Sequence, residues 1–199
     1  NEIINFHAIK KDNKNYLCIL NSDGRFKKVL FDEDMFKSNR SFAITKLKNN
    51  IKTVDSFISN EEKDLIILTS IGRIFKFNLS NKFLTPTTKQ SQGLILAKLL
   101  PSEKIVSCYP FENGEKIYLI SKLGKIFCIN SNEIYWANEF KLGYLNEKNQ
   151  LKNDSFFKIL PSNNYIDIET NKNKSARLNC RELDFKSNKT NFLIDFLNL

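Results

Sequence analysis

Short apolar runs alternate with polar turns along the whole chain, and one arrangement of them returns four times. In the first copy Tyr16-Leu17-Cys18-Ile19-Leu20 leads into a turn ending at Gly24, followed by Arg25-Phe26-Lys27-Lys28. In the second, Leu65-Ile66-Ile67-Leu68-Thr69 is followed by Gly72 and Arg73-Ile74-Phe75-Lys76-Phe77. The third reads Ile117-Tyr118-Leu119-Ile120-Ser121, Gly124, Lys125-Ile126-Phe127. A fainter fourth reads Tyr165-Ile166-Asp167-Ile168, a turn around Asn171 or Asn173, then Lys174-Ser175-Ala176-Arg177. The runs are short and rich in Ile, Phe, Tyr and Val, which favours strands over helices. The glycines sit where a tight hairpin turn needs positive φ. Leu65 to Leu68 is continuously apolar, as in a strand covered on both faces.

A further run precedes each hairpin: Ile3 to Ile9, Val54 to Ile58, Ile105 to Pro110 and Phe156 to Pro161. Another follows: Phe42 to Leu47, Leu94 to Leu99, a blurred stretch around Leu142 to Leu145, and Phe192 to Leu197. The order is strand, strand, turn, strand, strand, with turns at 24, 72, 124 and 173. A repeat of about 50 residues built this way predicts propeller-like blades. The expected units are 1–50, 51–101, 102–153 and 154–199, within one domain. The start at Asn1 suggests a piece of something longer.

Charge adds a candidate partner. The net charge is +9 and the pI about 9.3. The excess lies in the first, second and last quarters, while residues 101–150 are neutral. Either these charges solubilise a Lys- and Asn-rich surface, or they meet an anionic partner, nucleic acid first. No apolar stretch reaches membrane-spanning length. Cys18, Cys108, Cys128 and Cys180 form no close metal-binding pair, and buried free thiols are expected of the strand cysteines. The one histidine, His7, falls in an expected strand and reads as structural. No phosphate-binding glycine loop and no catalytic constellation is present, so neither cofactor nor metal is expected.

The stretch Thr69-Ser70-Ile71-Gly72-Arg73-Ile74-Phe75-Lys76-Phe77, then Gln92-Gly93-Leu94-Ile95-Leu96-Ala97-Lys98-Leu99, then Glu103-Lys104-Ile105-Val106-Ser107, resembles a known repeat. It is similar to the blade of the C-terminal domain of bacterial type IIA DNA topoisomerase A subunits, those of DNA gyrase or topoisomerase IV. Ser22-Asp23-Gly24-Arg25 and Ser121-Lys122-Leu123-Gly124-Lys125 carry the likeness into copies one and three, and it covers essentially the whole chain.

The resemblance implies an all-β fold, a β-pinwheel of four repeated four-stranded blades in which a strand from one blade completes its neighbour, with an open or partial disc as the alternative to a closed one. It implies a non-catalytic domain that binds duplex DNA on a basic rim, largely without regard to sequence, and bends or wraps it. Cleavage would belong to the rest of the gyrase or topoisomerase IV A subunit, while ATP hydrolysis would belong to its ATPase partner subunit. The location implied is the cytoplasm, on the nucleoid, of a bacterium or an organelle of bacterial origin. The gyrase Gln-Arg-Arg-Gly-Gly-Arg-Gly-like loop has its nearest counterpart in Lys89-Gln90-Ser91-Gln92-Gly93, which keeps a basic residue and the last glycine.

Each copy places a cation directly after the turn, at Arg25, Arg73, Lys125 and Lys174. A second follows three residues later at Lys28, Lys76 and Arg177, with Cys128 the exception. Recurrence at one point of a blade predicts a rim of like charges facing phosphates, extended by Arg40 and Lys89 in loops. Charge reversal at Arg73 and Lys76 is then expected to weaken DNA binding more than reversal at Lys125. The competing reading is a protein-binding propeller whose charge is incidental.

Overall fold

The computed structural model describes residues 5–7, 15–30, 42–59, 63–80, 82, 84–137, 144–145, 151, 153–161, 165–169 and 175–179. Within them the strands are β1 (Tyr16–Asn21), β2 (Arg25–Leu30), β3 (Thr53–Ser59), β4 (Asp64–Thr69), β5 (Arg73–Asn78), β6 (Leu94–Ile95) and β7 (Ile105–Phe111). Then come β8 (Lys116–Ser121), β9 (Ile126–Asn130), β10 (Tyr144–Leu145), β11 (Phe156–Pro161), β12 (Tyr165–Glu169) and β13 (Ser175–Asn179). A 3-10 turn at Ser131–Glu133 follows β9.

Three hairpins turn in the same way. The amides of Gly24, Gly72 and Gly124 bond the carbonyls of Asn21, Thr69 and Ser121 at 3.0, 3.0 and 3.1 Å. Each glycine takes a φ between 81° and 90°, the left-handed region that a Cβ disfavours. Two are also tightly packed: a Cβ on Gly24 would lie 2.2 Å from the Ala97 carbonyl oxygen, and one on Gly72 would lie 2.6 Å from the Phe156 ring.

The hairpins are completed by strands from the next repeat. The sheet orders are β3-β1-β2-β6, β10-β5-β4-β7, β11-β8-β9 and β12-β13, all antiparallel. Thus β3, the opening strand of the second repeat, pairs with β1, and β6, the closing strand of that same repeat, pairs with β2. The rule recurs one repeat on, where β7 pairs with β4 and β10 with β5. It explains one departure from expectation. Phe42 to Leu47 forms no strand, because a closing run pairs with the hairpin before it and β1–β2 is the first hairpin described. The expected strand at Ile3 to Ile9 is described only at residues 5–7, which are not strand. His7 instead sits beside β3, its Nε2 2.8 Å from the Ser56 hydroxyl. The fourth turn, Cys180 and the run Phe192 to Leu197 lie outside the described residues.

Packing follows from alternation along the strands. Tyr16, Cys18, Leu20 and Phe26 of the first sheet meet Leu65, Ile67, Phe75 and Phe77 of the second. The opposite face of that second sheet, with Ile66, Leu68 and Ile74, meets Ile117, Leu119, Phe127 and Phe156 of the third. Tyr118 on the far face of the third sheet packs on Ile166 and Leu178 of the fourth. The β4 strand is therefore buried at every position, as its unbroken apolar run predicts. The sheets also fan out. The opening strands β3, β7 and β11 touch side by side. Asp55 on β3 and Lys158 on β11 approach to 3.4 Å across the sheet between them. That edge is the hub; β6 and β10, at the opposite edges of their sheets, lie along the outer rim, and residues 84–93 lead to β6 there.

Cys18 and Cys108 are buried in the first interface and no disulfide joins them. Burial pushes the Cys18 thiol up to about 12, against the opposing charge of Lys28. Cys128 is half-buried.

Candidate nucleic-acid interface

Three of the cations that follow the turns are interior. The Arg73 guanidinium is clamped on Glu103: its Nε donates to Oε1 at 2.8 Å and its Nη2 donates to Oε2 and, at 2.8 Å, to the Lys98 carbonyl. The two side chains are 5% and 1% exposed. Burial works against the Glu103 carboxylate. Hydrogen bonds from Arg73, the Leu100 amide and Thr69 outweigh it and hold the pKa below the ordinary carboxylate value. Lys76 donates to the Ser131 carbonyl at 2.9 Å, with its ammonium 4.2 Å from the Trp136 ring centre. Burial lowers the Lys76 pKa, opposed by the Asp64 charge. Lys28 donates to the Leu79 carbonyl at 3.0 Å and lies 4.7 Å from the Tyr16 ring centre.

Strand register explains this placement. Lys28 shares a face with Phe26, and Lys76 shares one with Ile74. Both faces of the second sheet are covered by neighbouring sheets, and so is the Phe26 face of the first. A cation at these positions satisfies its ammonium on backbone carbonyls between blades. Charge reversal at Arg73 or Lys76 therefore tests folding before it tests binding, contrary to the ranking the sequence suggests.

The other expected cations lie closer to solvent. Arg25 is partly exposed and paired with Asp23 at 3.1 Å. Lys125 is half-buried, and Lys89 is exposed, its ammonium 4.9 Å from the Phe42 ring centre. Arg177 is exposed on the fourth sheet and holds both oxygens of Asp167, at 2.7 and 3.1 Å. This mutual contact lowers the Asp167 pKa and raises that of Arg177. Arg40 and Lys174 lie outside the described residues.

A second set of cations marks the turn end of the blades. The Ser22 amide bonds the Lys52 carbonyl and the Ser70 amide bonds the Lys104 carbonyl, both at 2.8 Å; the Lys122 amide bonds the Ser155 carbonyl at 2.9 Å. Lys52, Lys104 and Lys122 are exposed, as are Lys48 and Lys98 nearby in sequence. Among the described residues at this end, two carboxylates are paired with cations and a third is bonded through one oxygen to amides. Asp23 holds Arg25, Glu103 holds Arg73, and Asp154 accepts from the Leu123 and Ser155 amides at 3.2 and 2.7 Å. The turn end is left with an excess of solvated ammonium groups.

Neither a family model nor a curated protein sequence matches this chain. Solved structures do. The C-terminal domain of DNA topoisomerase IV superposes with a TM-score of 0.73 at 17% identity, over 87% of this chain and 55% of that one. The DNA gyrase A C-terminal domain gives 0.67 at 21% identity, over 89% and 61%. The E. coli ParC C-terminal domain gives 0.64 at 11% identity, over 88% and 73%. The chain has the β-pinwheel fold of these domains. It spans little more than half the length of the first of them.

Two features of this pinwheel escape a reading of the sequence by composition. Asn50, Ser102 and Asn153 take φ of 68°, 65° and 55°, each a few residues before an opening strand. They mark a second recurring turn, and Lys52 and Lys104 follow the first two of them. The Asn residues are the available clue, since Asn tolerates this conformation. The other feature is Lys27, which occupies the position of Phe75 and Phe127 in the next two hairpins. It is buried, and its ammonium donates to the carbonyls of Ile44, of Lys89 at 2.5 Å and of Ser91 at 3.0 Å.

Proposed function

We propose that this chain is a non-catalytic DNA-binding domain of a type IIA topoisomerase, which binds duplex DNA and bends or wraps it around the blades. The fold likeness to topoisomerase IV and gyrase A C-terminal domains carries the reading. The net charge of +9 and the exposed lysines at corresponding places of successive blades support it. Lys89 on the rim, with Lys52, Lys104, Lys122 and Lys125 at the turn end, would contact phosphates, with Arg25 and Arg177 as partly neutralised neighbours. Contacts of this kind position the duplex without reading bases. Bending a 20–30 bp segment costs about 1–6 kcal/mol, which such contacts must offset. The protein partners would be the remaining domains of the topoisomerase, which would supply cleavage and strand passage, together with its ATP-hydrolysing partner subunit. A duplex carrying a fluorophore at each end tests the bend. Energy transfer that rises with added protein supports the reading; bound duplex with unchanged end-to-end transfer removes bending from it.

A further inference from the structure

Lys27 breaks the repeat, and what it touches indicates why. In the second and third hairpins the corresponding Phe75 and Phe127 rings fill the space between sheets. At the same position of the first hairpin, on the face opposite Phe26, Lys27 is 1% exposed and its ammonium donates to three backbone carbonyls of loop segments. Two of these, of Lys89 and Ser91, belong to the rim loop leading to β6. The third, of Ile44, belongs to the segment following the first hairpin. The same two segments meet again where the Lys89 ammonium lies over the Phe42 ring. Gly93 closes the loop against β2, since a Cβ there would stand 2.4 Å from the Phe26 carbonyl oxygen. The nearby hydroxyls of Thr45 and Ser91 are buried without a hydrogen-bond partner. An ammonium has three protons to donate and a phenyl ring has none. Buried carbonyls require a partner, so this charge closes the loop.

We infer that Lys27 is a positioning residue for DNA binding: its buried charge fixes the 88–93 loop so that Lys89 is presented to the duplex. The inference rests on the DNA-binding reading above. Lys27 itself touches no phosphate. Replacing it with the residue of the neighbouring blades, Lys27→Phe, keeps the strand and removes the clamp, and the loop turns its carbonyls to water. The Lys89 ammonium then loses its fixed place over Phe42.

The test is equilibrium binding of a labelled random-sequence duplex by the 199-residue chain over a range of salt. The proteins are wild type, Lys89→Gln, Lys27→Phe and the double variant. One lost phosphate contact flattens the slope of log K against log salt by about 0.9 and weakens binding about 8-fold at about 0.1 M salt. Lys27→Phe is expected to reproduce both changes, and the double variant to be no weaker than Lys89→Gln alone. Thermal melting by circular dichroism verifies the fold, and Lys27→Met takes the place of Lys27→Phe if the ring is not accommodated. A folded Lys27 variant with the wild-type slope, or losses that add in the double variant, overturns the inference and leaves the DNA reading standing. A wild-type chain that binds no duplex brings both down.

Discussion

Replacing Arg73 by methionine removes one half of an ion pair that solvent barely reaches. Three side-chain hydrogen bonds go with it, two to Glu103 and one to the Lys98 carbonyl. Glu103 keeps the Leu100 amide at 2.7 Å, but its charge is stranded at 1% exposure. Removing one partner of a buried pair costs about 3–5 kcal/mol, because the uncompensated charge remains inside. For a chain of this size each kcal/mol lowers Tm by about 2–4 °C, so a fall of about 6–20 °C is expected. Arg73→Met/Glu103→Met, which removes both charges, should recover much of the loss. Urea titration of the two single variants and the double measures the coupling. pH supplies an independent check. The folded Glu103 pKa lies below its ordinary value of 4.5, so the stability from the pair is complete above that pH. It drains away as pH falls through the lower folded value, and Arg73→Met should lack that part of the acid dependence. A loss below about 1 kcal/mol for Arg73→Met would mean a solvated surface cation, and the account of the blade interior would be wrong.

Other perturbations test separate parts of the structure. Gly24→Ala forces a Cβ into a left-handed turn and against the Ala97 carbonyl, and should destabilise by at least about 1–3 kcal/mol by urea titration. Ile67→Ala, in the strand buried on both faces, should cost about 2–5 kcal/mol by the same measurement. Lys52→Gln and Lys104→Gln should each flatten the salt dependence of DNA binding by about 0.9 while leaving Tm within about a degree or two of wild type. At pH 8 about one Cys18 in ten thousand is thiolate, given a thiol pKa of about 12, so iodoacetamide should label it only on unfolding, as read by intact mass.

Three of the hairpins were legible because two independent signals coincide at each, an apolar run and a glycine where the left-handed turn falls; the fourth, with no glycine, was fainter. The continuous run Leu65 to Leu68 was likewise enough to place β4 between two other layers. Strand sharing came only through the resemblance to the topoisomerase blade, since a period of about 50 residues is the same whether a closing strand joins its own hairpin or the one before. The cations were the harder case. Lys28 and Lys76 share parity with Phe26 and Ile74, and parity alone would have turned them inward. That clue is weak where a sheet has a solvated face and decisive where both faces are covered. Coverage is known only from the stacking. Arg73 needed Glu103, 30 residues away, which no local pattern connects to it. Lys27 was readable in principle as the one residue out of step with Phe75 and Phe127.

Binding of a random-sequence duplex at several salt concentrations tests the central claim most directly. If roughly six phosphates are neutralised, affinity should fall by about a thousandfold between 50 and 200 mM salt, with little change on altering the sequence. No binding at the lowest salt, or binding that salt leaves unchanged, would contradict it.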